Sequence, residues 1–104
     1  MTDLSLSEEE LELFTSFLDS LKVLTKNKLI EKGYHTFLPS FDIVYKTVVE
    51  IINSTVEASK NDDSLSALLS FSMHCSKKLT KNDDVDFNIH AMSVDVYRNL
   101  SGEI

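Results

Sequence analysis

The sequence predicts an all-α fold, a small antiparallel four-helix bundle connected up-down-up-down, and three observations lead there. Apolar residues recur at three- and four-residue spacings in four separate stretches. Polar clusters with good N-cap residues divide those stretches. No Asn-Gly or Asp-Gly hairpin turn gives any extended segment a partner. A chain of 104 residues is read as a single domain, 1–104, with one core.

The first helix is expected over residues 8–32. Ser7 with Glu10 three residues on forms a capping box, and Leu6 and Leu11 take the N′ and N4 positions of a hydrophobic staple. Leu11, Phe14, Leu18, Leu21 and Leu29, with Phe17 and Leu24 beside them, share one broad face that is expected to be core. Acidic residues at the start and Lys26, Lys28 and Lys32 near the end suit the helix macrodipole, and Gly33 is placed as a C′ stop. Unbroken, the helix is ~37 Å long at 1.5 Å per residue, with Asn27 as an earlier possible end.

Periodicity lapses from Tyr34 to Pro39, which marks the main loop, and Ser40 can cap a second helix at 40–59. Its face holds Phe41, Val44, Val48, Ile51 or Ile52, and Thr55; the β-branched run 43–52 equally suits a strand, but its apolar residues do not alternate. The polar turn Lys60-Asn61-Asp62-Asp63-Ser64 opens a third helix at 63–79, with Leu65, Leu68, Leu69, Ser72, Met73 and Leu79 on its face. A fourth is expected at 84–100. There Val85, Phe87, Ile89 and Ala91 alternate as a strand would, while Val85, Ile89, Met92, Val96 and Leu100 keep helical register for four turns, the longer match.

Composition narrows the function classes. Seventeen acidic against 10 basic residues give a net charge of −7, which disfavours nucleic acid and anionic lipid as direct partners. No apolar run approaches the ~20 residues of a membrane span. The start, Met1-Thr2-Asp3-Leu4, lacks a secretory pattern, and Cys75 is the single cysteine, so a reducing, cytoplasmic location is the expectation.

Reaction chemistry finds little footing. His35, His74 and His90 have no spacing that puts two ligands on one helix face, so no metal and no cofactor is expected. Asp84, Asp86, Asn88 and Asp95 mimic ligands of a calcium loop, but Ile89 stands where its sharp turn needs glycine. Cys75 has no companion base, and no phosphate-cradling glycine loop occurs. No catalytic residue is therefore assigned.

Two short resemblances point to binding or relay functions. His74 with Lys77 resembles part of the histidine-phosphotransfer motif, which implies an exposed phospho-accepting histidine on a helical bundle; Ser76 stands where that family usually has Leu, and Lys78 where it has a small residue. Ser7-Glu8-Glu9-Glu10-Leu11 resembles a helix start in the small acidic immunity proteins that neutralise colicin nucleases, although their tyrosine-pair motif has no counterpart here.

In an up-down-up-down bundle, Glu8, Glu9, Glu10, Glu12, Glu57, Asp62, Asp63 and Glu103 gather at one pole. The expected function is a small acidic protein-binding module, an inhibitor, immunity or regulatory accessory protein. Glu8, Glu9, Glu12, Glu57, Asp62 and Asp63 would face a basic protein partner. The alternatives are phosphotransfer at His74 and a homodimeric assembly protein sealed by Tyr34, Phe37 and Leu38.

Overall fold

The computed structural model describes residues 6–102. The protein is an all-α four-helix bundle: α1 Glu8–Glu31, α2 Phe41–Ser59, α3 Asp63–Thr80 and α4 Val85–Gly102, with no strand among the described residues.

Each helix end is fixed locally. At the start of α1 the Ser7 Oγ accepts from the Glu10 N–H at 3.1 Å, and the Ser7 N–H donates to Glu10 Oε1 at 3.0 Å, a complete capping box. At its end the Gly33 N–H reaches the Ile30 carbonyl and the Tyr34 N–H reaches that of Leu29, both at 3.0 Å, the bond pair of a Schellman motif. Gly33 has φ 101°, a conformation that strains any residue with a Cβ, although a Cβ there would meet nothing within 4 Å. Gly33→Ala is therefore expected to cost about 1 kcal/mol from backbone strain alone, measurable as a lowered urea midpoint with unchanged slope.

The Ser40 side chain makes no cap bond; its carbonyl accepts from the Ile43 and Val44 N–H groups instead. The β-branched run that follows is helical throughout, because Val44, Val48 and Ile52 sink into the core together and tertiary burial outweighs propensity. Thr47 joins them by returning its hydroxyl to the Ile43 carbonyl at 2.8 Å. Asp62 caps α3 by accepting from the Leu65 N–H at 3.1 Å. Asp84 caps α4 by accepting from the Asp86 and Phe87 N–H groups.

The core is built from Phe14, Leu21 and Leu29 of α1, Val44, Val48 and Ile52 of α2, and Ile89, Met92, Val96 and Leu100 of α4. It differs from the expected face on α1, on α3 and, at Val85, which is exposed, on α4. In α1, Leu11 and Leu24 lie outside while Thr25 is fully buried, its hydroxyl donating to the Leu21 carbonyl at 2.7 Å. In α3 the buried residues are Ser72, Cys75 and Ser76, whereas Leu68 and Leu79 are exposed. That small-residue face is held by a polar network from α4. Asn88, fully buried, accepts at Oδ1 from the Ser76 and Thr80 hydroxyls and donates from Nδ2 to the Asn82 and Asp84 carbonyls, both at 2.9 Å.

These contacts also give the helix directions. The end of α3 meets the start of α4 through Asn88. The end of α3 also meets the start of α1, where Lys78 Nζ lies 3.6 Å from Glu10 Oε1, so α1 and α3 run head to tail. The start of α2 packs on α4, with the Phe41 ring 5.6 Å from that of Tyr97 and 5.1 Å from that of His90. Lys32, just past α1, bonds both Glu50 Oε2 at 3.1 Å and Thr47 Oγ1 at 3.3 Å on α2.

The Glu10 carboxyl is held below the usual glutamate range, chiefly by the hydrogen bond from the Ser7 backbone, partly opposed by desolvation and reinforced by Lys78. A carboxyl depressed in the folded state contributes stability that is present above its unfolded pKa and lost as pH falls through its folded value. Glu10→Gln is accordingly expected to flatten the acid limb of a stability-versus-pH curve below about pH 4.5, read by thermal melts across pH 2–6 relative to the parent.

Candidate partner-binding groove

Leu65, Leu68 and Leu69 precede Ser72 by three to seven residues and so share its face of α3, in the half of the helix that has no buried residue, where they meet α1 and α2. Phe17, Leu21 and Leu24 of α1, Ile51, Ile52 and Thr55 of α2, and Leu65, Leu68 and Leu69 of α3 enclose a cavity of about 110 Å³. It shares Leu24, Ile51, Thr55 and Leu65 with a wider recess of about 440 Å³ that continues over Asn27, Lys28, Glu31, Ser54 and Ala58. The two adjoin as one channel, open on one side, apolar in its narrow half and edged by Asn27, Lys28, Glu31 and Ser54 in its wide half. Leu24 and Leu68 on its walls are 51% and 45% exposed. α3 has no buried residue before Ser72, so its first half covers the channel only partly.

The six carboxylates assigned to a partner do not gather at one end. Glu57 lies in the last turn of α2, Asp62 is the N-cap of α3 and Asp63 opens that helix, so these three flank the wide end of the groove beside Ala58 and Leu65. Glu8, Glu9 and Glu12 are exposed at the start of α1, where Glu10 meets Lys78. Between Leu65 and Lys78 α3 rises ~20 Å, and that length separates the two acidic groups. The single acidic pole required the starts of α1 and α3 to lie side by side; their head-to-tail meeting divides it. Glu103 lies outside the described residues.

Around the groove, Glu57 pairs with Lys60 at 3.2 Å and Glu50 with Lys32 at 3.1 Å. Glu31 and Lys28 line it directly. The carboxyl ends of α1 and α2 both lie here and add partial negative charge, while the partial positive start of α3 is offset by Asp62 and Asp63.

The remaining candidates are placed elsewhere. His74 is exposed on α3, with Lys77 3.8 Å from Asp83 and Lys78 turned to Glu10. The Cys75 thiol is buried; desolvation pushes its pKa up and the Glu10 charge adds to the shift, so it is protonated at neutral pH. Asp84 and Asn88 of the calcium-like run are engaged in capping and in the buried network, and α4 passes straight through the run. Among the described residues no group of three or more His, Cys, Asp or Glu could hold a metal ion, and no helix is long and apolar enough to cross a membrane. In the α1–α2 loop, Tyr34 and Phe37 meet edge to face at 5.6 Å beside a recess of about 340 Å³, with Phe37 56% exposed.

Sequence reasoning missed the groove. Leu65, Leu68 and Leu69 share a face with Ser72 and Ser76, and local spacing carries no signal that the first half of α3 packs less deeply than the second. No protein-family model, curated protein or solved structure matches this chain, so its function is argued from geometry alone.

Proposed function

We propose that this chain is a small acidic protein-binding module, an inhibitor or regulatory accessory protein, that takes part of a partner into the channel between α1, α2 and the start of α3. The observation that carries the reading is the set of large apolar side chains lining one open channel, with Leu24 and Leu68 half-exposed at its walls. Covering such surface yields about 25 cal/mol per Å² removed from water. Glu57, Asp62 and Asp63 at one end supply the attraction for a basic partner; Glu8, Glu9 and Glu12 form a separate patch at a distance.

Leu24→Glu with Leu68→Glu tests the reading. Both positions are substantially exposed, so the helical circular dichroism should be retained while binding to a captured partner falls at least about tenfold, a loss of 1.4 kcal/mol or more. Association with that partner should also slow as salt rises. A partner bound equally well by the double variant, at a rate indifferent to salt, would remove the proposal.

Phe37, the most exposed of the large apolar side chains described, favours a second reading, a homodimer joined through the α1–α2 loop. Sedimentation equilibrium of the parent and of Phe37→Ser distinguishes the two, since only a loop dimer would dissociate on that substitution.

A further inference from the structure

We infer that the occupant of the groove is a basic amphipathic α-helix of about four turns from another protein, an inference that rests on the binding role proposed above. Backbone chemistry selects the helix. No strand, and hence no open sheet edge, exists among the described residues, so an extended segment laid on these apolar walls would leave its N–H and C=O groups unpaired. A helix satisfies its own backbone and presents an apolar stripe at i, i+3, i+4 and i+7, the pattern of helix-in-groove recognition.

Dimensions set its length. On α1 the channel runs from Phe17 to Glu31, ~21 Å at 1.5 Å per residue, which a helix of about 14 residues matches. Leu24 lies midway along this wall and Leu68 on the facing one.

Charge sets its sign. Glu31 and Lys28 line the channel, Glu50 and Glu57 stand near it paired with Lys32 and Lys60, and Asp62 and Asp63 at the start of α3 outweigh its partial positive charge, so that with two helix carboxyl ends the balance is negative. The chain's net charge of −7 opposes a second copy of itself in the same place. Lysine and arginine flanking the apolar stripe of the incoming helix meet this rim.

The probe is a synthetic 16-residue helical peptide with leucines at i, i+3, i+4 and i+7 and lysine or arginine on both flanks. Its controls are the same peptide with glutamate flanks and one with the leucine order scrambled. Fluorescence anisotropy against the whole chain should show saturable binding of the basic peptide, at least about tenfold tighter than either control. Leu68→Glu, with circular dichroism and melting unchanged, should weaken it by about the same factor, and about 0.5 M salt should weaken it further. Equal binding of the glutamate-flanked peptide, no effect of Leu68→Glu, or light scattering that reveals a dimer abolished by Leu68→Glu would each overturn the inference. If the double groove variant loses its native partner while the basic peptide does not bind, the helix assignment falls and the binding role stands.

Discussion

Asn88→Ala is expected to destabilise the fold by about 3 kcal/mol, since each buried polar group left without a partner costs roughly 1–3 kcal/mol. In a chain of this size that lowers the melting temperature by roughly 10–20 °C. Asn88 is fully buried and bonds four groups, the hydroxyls of Ser76 and Thr80 and the carbonyls of Asn82 and Asp84. Alanine removes all four bonds around a fully buried side chain; the Asn82 carbonyl loses its donor in the α3–α4 turn, while the Asp84 carbonyl keeps the Asn88 N–H at 3.0 Å. Thr80 can still give its proton to the Ser76 carbonyl at 2.9 Å, so its loss is partly buffered. Thr80→Val should therefore cost clearly less than Asn88→Ala, and the double variant should lose less than the sum, because the two side chains share one network. Additive losses in urea melts would show that the network does not act as a unit.

Met92→Ala carries the second large effect, about 3 kcal/mol within the 2–5 kcal/mol range for truncating a long apolar core residue. Met92 is 2% exposed and sits among the apolar residues of the core, so truncation leaves a void where close packing had been. The informative contrast is with the groove. Leu24→Ser and Leu68→Ser, at half-exposed positions, should each cost under about 1 kcal/mol, because substitutions outside the packed interior move stability little. If Leu68→Ser costs as much as Met92→Ala, the channel is a closed part of the core in solution and the binding proposal loses its basis. Under the proposed binding role, stability and binding separate by position: Met92 and Asn88 hold the fold, while Leu24 and Leu68 are half-exposed.

The helices were legible where the determining interactions are short in sequence. Ser7 with Glu10, Asp62, and Gly33 set helix ends through bonds that span three to five residues, and the observed boundaries fall within two residues of those read from the sequence. The β-branched run of α2 resolved as helix once its residues at three- and four-residue spacing met a common core. On α3 the expected face does turn inward at Ser72, but Cys75 and Ser76 are buried with it while Leu68 and Leu79 stay exposed. Hydrophobic size says what burial would gain, not what the neighbouring helix admits, and Asn88 on α4 draws Ser76 and Thr80 to itself.

The charges teach the same lesson at longer range. Glu8, Glu9 and Glu12 could be placed near the start of α1 from sequence, and Asp62 and Asp63 at the start of α3. Whether they stand together depends on how α1 and α3 are oriented, and the contact between Glu10 and Lys78, 68 residues apart in the chain, places the two groups at opposite ends of α3.

By itself the amino-acid sequence determined four amphipathic helices, their ends, an acidic surface and the absence of a recognisable reaction motif, because periodicity and capping act within a turn or two of the chain. Only the tertiary structure decided how deeply each half of α3 packs, that the carboxylates divide into two groups, and that a channel stays open near Glu57, Asp62 and Asp63. Those outcomes depend on contacts between residues remote in sequence, where packing volume and buried hydrogen bonding select one arrangement among several that local pattern permits equally.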